Sequence, residues 1–285
     1  MACLKWFLTP ALLMTLAAAS SAQPRPVTGP KIKLCGYQLA WSDEFDDMSI
    51  GNWRLDGKRW TAHTPWAGDF GDARFTDPGE QSAFSIRDGH LEITARRGTD
   101  GKWTSGLIAA ADQTGAGTGL TEGYFETRMR MTAGSGTWPA FWLFSLTPRS
   151  DKRPKIELDA LEYYGHDPSS YYASWKVHSP ADKKHERGEL ERIPIIPGAM
   201  AARYNTVGVL VTRTRISYLF NRVVVWTAPR PAELDVPLFP LVNLALGSGY
   251  SIRNTPDPSV LSIDYVRLYA PSAKRGGGSC IPDRG

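Results

Sequence analysis

The stretch Lys155-Ile156-Glu157-Leu158-Asp159-Ala160-Leu161-Glu162-Tyr163-Tyr164-Gly165 sets three acids among aliphatic residues. In an extended strand successive side chains alternate between faces, so Glu157 and Asp159 share one side and Ile156, Leu158 and Ala160 the other. Glu162 joins the acidic side only if the strand carries one extra residue, a β-bulge, a device common beside active sites. Carboxylates this close raise at least one pKa among them. One ionised and one protonated carboxyl are the equipment of glycoside hydrolysis. A third acid between them can set their protonation apart, and the group then titrates as a coupled unit. Two other readings fit the same residues: oxygen ligands for a calcium ion, or an amphipathic strand that turns its acids to solvent.

The elements that must position this strand are mostly strands themselves. Alternating runs such as Leu91-Glu92-Ile93-Thr94-Ala95, residues 123–131, 207–211, 215–220 and 261–269 carry the β signature. Turn signals such as Arg87-Asp88-Gly89 and Thr99-Asp100-Gly101-Lys102 divide them. No long amphipathic helix follows the first 22 residues; residues 197–203 predict at most a short one. Many strands and few helices predict an all-β antiparallel sandwich or barrel. The 285 residues fit one such domain with a core large enough to stand without metals. The ten Trp, eleven Tyr and ten Phe suit sugar rings and cores alike.

Residues 1–22 read as a signal peptide, with Lys5 as the positive region, an apolar run from Trp6 to Leu16, and Ser20-Ser21-Ala22 before the cut. The expected mature chain is secreted or periplasmic, and nothing later approaches a membrane span. That leader holds Lys5 and no acid, so the net charge falls from +4 to +3 on its removal. So mild a balance argues against a nucleic-acid partner, and the basic cluster at 183–187 is interrupted by Glu186, as in a solvated loop. Residues 23–34 read as a Pro-rich linker and 271–285 as a C-terminal tail. Cys35 and Cys280 flank the domain, and in an oxidising compartment they are expected to pair, a link worth about 4–5 kcal/mol on loop entropy alone.

The order of several motifs adds a resemblance. The segment Glu157-Leu158-Asp159-Ala160-Leu161-Glu162 resembles the E-x-D-x-x-E signature of glycoside hydrolase family 16, in its laminarinase-like branch, whose motif carries the bulge residue. Trp41-Ser42-Asp43-Glu44-Phe45 resembles that family's opening strand, residues 123–128 and 138–143 the strands before its catalytic strand, and residues 264–269 its closing strand. Together these cover residues 37–270, within a catalytic domain taken as 35–270. The resemblance implies a concanavalin A-like jelly roll of two antiparallel sheets, with an open concave cleft for a polysaccharide. It implies retention of anomeric configuration, with Glu157 as nucleophile, Glu162 as general acid/base and Asp159 hydrogen-bonding between them.

The same resemblance assigns further residues. Trp142 is expected to stack on a sugar, with Trp138 beside it. Trp175 and His178 belong to what resembles the next strand, where a His often faces the cleft. Trp60 and Trp66 fall in a long turn-rich region of the kind that lines clefts, and Asn243, on a strand over 238–246, is a further candidate contact. Glu44, Gly89 and Asp264 match a structural calcium site of many members; no cofactor is expected for catalysis. One departure stands out: in place of the Asn-Asn-Glu-type segment of laminarinases, this chain has Gly71-Asp72-Ala73-Arg74-Phe75-Thr76-Asp77-Pro78. That resembles members acting on bacterial exopolysaccharides, with Arg74 meeting an acidic sugar or making a surface salt bridge. The expected activity is a monomeric endo-β-glycanase on a bacterial exopolysaccharide, β-1,3-glucan or β-1,3-1,4-glucan. A transglycosylase and a non-catalytic glycan-binding sandwich are the alternatives.

Overall fold

The computed structural model describes residues 27–66, 68–272 and Cys280; the expected signal peptide lies outside the described residues. In chain order the strands are β1 (Tyr37–Asp43), β2 (Ile50–Gly51), β3 (Trp60–Thr61), β4 (Ala73–Phe75), β5 (Phe84–Arg87), β6 (His90–Arg97), β7 (Trp103–Ala109), β8 (Gly123–Met131) and β9 (Thr137–Ser145). They continue with β10 (Lys155–Glu162), β11 (Ser170–His178), β12 (Arg187–Pro194), β13 (Asn205–Val211), β14 (Arg215–Phe220), β15 (Val223–Pro229), β16 (Leu238–Leu246) and β17 (Ser259–Pro271). The turn of helix α1 (Ala199–Ala202) falls inside the segment where a short helix is expected.

The strands form a two-sheet jelly roll. The inner sheet runs β12, β11, β10, β9, β16, β7, with β3 on its far edge. The outer sheet runs β15, β14, β13, β8, β17, and β17 then pairs with β6 over one part of its length and with β1 over another. Almost every pairing is antiparallel; the short β2–β3 and β4–β7 contacts are parallel. The main core lies between the sheets, where Ile156 and Leu158 of β10 meet Val207 and Val209 of β13 and Leu261 and Ile263 of β17. Aromatic residues also cover much of the other face of the inner sheet, in a second cluster with Phe75, Trp142, Phe239 and Leu241. β16 is therefore buried at all nine positions, and its sequence LFPLVNLAL shows one polar residue in the run. β12, at the edge, is exposed almost throughout and carries Arg187, Glu189, Glu191 and Arg192, charges that discourage pairing with another chain.

The segment before β1 is not a free linker over its described part, which corrects the boundary expected at residue 35. Lys31 bridges Val223, the Ile32 N–H donates to Arg222 O at 2.8 Å, and Leu34 is buried. Leu34 packs with Tyr124, Leu219 and Tyr269 on the outward side of the outer sheet. The apolar residues Ile32 and Leu34 outweigh the Pro-rich start. Cys35 is bonded to Cys280, which fastens this cover in place.

Beneath the cover lies a fully buried carboxylate, Glu126. Arg222 donates to it through Nε and Nη2 at 2.8 and 2.9 Å, and Tyr124 and Tyr265 donate their hydroxyls at 2.8 and 2.9 Å. A buried charge so completely met is tolerable; one left alone is not. Replacing Arg222→Leu strands Glu126, and urea unfolding is expected to show a loss of about 3–5 kcal/mol, whereas a loss below ~1 kcal/mol would mean that solvent reaches the pair.

Candidate active site

β10 lies between β9 and β11, and its pairing places each acid. Glu157 stands opposite Phe144 and Lys176, and Asp159 opposite Trp142 and Ser174. The register then shifts, so that Glu162 stands opposite Ala140 and Tyr172. The extra residue after Asp159 brings all three carboxylates onto the concave face, while Ile156 and Leu158 point into the core beside Val177 and Trp175.

Their surroundings differ. Glu157 accepts from Lys176 Nζ at 2.8 Å and lies 3.2 Å from His178 Nε2. Burial pushes its pKa up, but His178 and Lys176 outweigh burial, and the net shift is downward. Asp159 is buried, accepts from the Ser174 hydroxyl and from Lys176 Nζ at 3.2 Å, and is pushed well above the carboxylate range by burial and by Glu157 and Glu162. Glu162 accepts from Trp138 Nε1 and the Tyr164 hydroxyl, both at 3.3 Å. Burial raises its pKa, and Glu157 adds to that against the opposing pull of Lys176. Tyr164 is itself pushed up to about 12 by burial and by Glu162, so it remains a donor. The carboxyls thus differ as acid chemistry needs, the Glu157 pKa being pushed down and those of Glu162 and Asp159 up.

The cleft beside them, about 230 Å³, is walled by Trp66, Phe70, Trp138, Ala140, Trp142 and Asn243. Trp142 Nε1 donates to Asn243 Oδ1 at 2.9 Å, and Asn243 Nδ2 donates to Trp138 O at 3.2 Å. Asn243 therefore holds the two tryptophans in place. Trp66 packs on Phe144 and Trp142, with ring centroids 4.4 and 5.8 Å apart.

Other expected contacts lie elsewhere. Trp60 is fully buried between Trp41 and Phe45 and donates its indole N–H to Asp43 at 2.7 Å, so it belongs to the core and not to the cleft. Trp175 also faces the core, where its indole N–H has no partner among the described residues. It stands three positions from His178, and an odd offset puts two strand residues on opposite faces. Counting back from His178 in twos gives Lys176 and Ser174, the residues the sequence reading missed. Arg74 is exposed on β4 and does not line the cleft. Glu44, Gly89 and Asp264 do not fit a calcium ion. Arg267 donates to Glu44 at 2.9 and 2.6 Å, and Arg128 pairs with Asp264. Carboxylates neutralised by guanidinium groups offer no anionic cage. Among the described residues no group of three or more His, Cys, Asp or Glu gathers to hold a metal.

A jelly roll with paired carboxylates and tryptophans in its concave face defines the glycoside-hydrolase class. Solved structures share the fold: a laminarinase from Flavobacterium sp. UMI-01 superposes with a TM-score of 0.62 at 22% identity, over 82% of this chain and 100% of that one. The chain belongs to glycosyl hydrolases family 16, which it matches over residues 72–265. It is similar to two proteins of Rhizobium meliloti, endo-1,3-1,4-beta-glycanase ExsH (32% identical) and endo-1,3-1,4-beta-glycanase EglC (31%), each over 81% of this chain and 51% of the relative. The chain thus spans about half the length of those curated relatives.

Because Asp159 binds its proton more tightly folded than unfolded, stability falls as pH rises from the unfolded carboxyl range through its folded pKa. Asp159→Asn removes that penalty. Its melting temperature should exceed that of the wild type at pH 7, with the gain vanishing as pH drops below about 4; an equal or lower value at pH 7 would show that the site does not disfavour the ionised Asp159.

Proposed function

We propose that this chain is a retaining endo-β-glycanase that hydrolyses a β-1,3-1,4-linked glycan or a related bacterial exopolysaccharide. The observation that carries this reading is the placement of Glu157, Asp159 and Glu162 on one face of one strand, with Lys176 2.8 Å from Glu157 and the neutral donors Trp138 and Tyr164 on Glu162. Ionised Glu157 attacks the anomeric carbon while Glu162 gives its proton to the departing glycosidic oxygen. The sugar is left as an ester of Glu157. Glu162, now a carboxylate, takes a proton from water, whose oxygen displaces Glu157 from the same face as the original bond. Two inversions restore the β configuration.

Lys176 serves both halves. It holds Glu157 ionised for attack, and it stabilises the carboxylate that leaves in the second step. Neutral Asp159 keeps a second negative charge away from the nucleophile. The tryptophans give flat apolar faces suited to sugar rings, and the names of the Rhizobium relatives favour the mixed β-1,3-1,4 linkage.

Reducing-end release from lichenan, laminarin and an acidic bacterial exopolysaccharide tests the reading. The wild type should cut at least one, and Glu157→Gln should lower kcat at least about a thousandfold. Proton NMR of the first products should show the β anomer. An α anomer would sink the retaining mechanism, and binding without cleavage by the wild type would mark a glycan-binding sandwich. A second expectation concerns pH. Lys176 pulls the Glu157 pKa down, so Lys176→Met lets it rise, and the acidic limb of kcat/KM should move to higher pH. An unmoved limb would show that Lys176 does not set the protonation of the nucleophile.

A further inference from the structure

Trp66 has a second side. Beyond it lies another cavity, about 310 Å³ against about 230 Å³ for the catalytic cleft, so there is room for another sugar unit. The two spaces share Trp66, and His178, which contacts Glu157, lines the second. Phe144 and Phe239 give it an apolar floor. Its rim comes from the connection between β9 and β10.

That connection is unusually basic. Residues 149–155 hold Arg149, Lys152, Arg153 and Lys155 against a single acid, Asp151. Asp151 is taken up by Arg153 at 2.7 Å and Lys155 at 3.5 Å, and Lys155 also donates to the Thr147 hydroxyl at 2.6 Å. The other acid of the cavity, Asp112, accepts from the N–H groups of Leu55 and Thr114 and from the Thr114 hydroxyl. Arg149 and Lys152, which also line the cavity, have no side-chain partner among the described residues. The backbone at Arg149 is nevertheless held. The Arg149 N–H donates to Gln113 O at 3.0 Å, and Gly115 (φ 82°) lets Pro148 come so close that a Cβ there would stand 2.7 Å from the Pro148 nitrogen.

Two unneutralised cations on a fixed connection, over an apolar floor that continues the sugar-binding wall, fit one kind of ligand. We propose that this cavity is a subsite for a carboxylate-bearing unit of the glycan, gripped by Arg149 and Lys152. The inference rests on the glycan-hydrolase reading and narrows its substrate to acidic polymers. The cations form charge-assisted hydrogen bonds to the carboxylate, and the ring of the same unit lies against Trp66 and Phe144.

The test compares lichenan with lightly carboxymethylated lichenan, using wild type and the Arg149→Gln/Lys152→Gln double variant. The ratio of kcat/KM on the carboxymethylated polymer to that on its parent should fall about tenfold in the double variant, through KM, as expected for the loss of two exposed charge contacts. High salt should lower the wild-type ratio in the same direction. Affinity electrophoresis in gels holding either polymer reads binding apart from turnover. The double variant should lose the extra retardation that carboxymethyl groups give the wild type. An unchanged ratio, or retardation equal in the two proteins, would overturn the subsite and leave the cations as a solvated loop. Absence of cleavage of either polymer would count against the hydrolase reading alone, because retardation still decides the subsite.

Discussion

Carboxyl groups gathered on one side of β10 repel one another, and that repulsion sets the terms for everything around them. Asp159 is almost fully buried, with Glu157 and Glu162 on either side. In so dry a place not all of them can be ionised. His178 and Lys176 favour Glu157: both touch it, Lys176 at 2.8 Å, whereas Glu162 accepts hydrogen bonds from the neutral donors Trp138 and Tyr164 and feels Lys176 only through space. The division of labour among the acids is therefore written on the neighbouring strand as much as on β10 itself. Ser174 and His178 complete it from the same face of β11.

Much of this was legible in the sequence because strand geometry is local. The spacing of Glu157, Asp159 and Glu162 called for a bulge, and the register shifts where the extra residue was expected. Aromatic residues were harder, because a tryptophan prefers a buried face of either kind. Trp142 and Trp175 sit on the two strands that flank β10 with similar burial, yet one walls the cleft and the other fills the core. Parity along each strand separates them, and the same count would have exposed Lys176. The calcium expectation meets a different obstacle. Glu44 and Asp264 are where the resemblance puts them, but Arg267 and Arg128, which neutralise them, lie on neighbouring strands whose pairing no single motif reveals.

The outer sheet solves a related problem in the opposite way. There a lone carboxylate, Glu126, is fully buried and receives four hydrogen bonds, two from one guanidinium. Every lone pair is met, so the charge can stay. The carboxyls of β10 are less completely satisfied, which leaves their protonation open to change.

The bond between Cys35 and Cys280 joins positions 245 apart and encloses every strand of both sheets. In topological terms the jelly roll is a covalent ring. A single proteolytic cut in any surface turn within it, such as the one around Gly115, opens the ring without releasing a fragment. The two pieces of chain remain tied through the sulfurs and through the antiparallel pairing of β1 with β17. A first nick therefore need not end the working life of the domain.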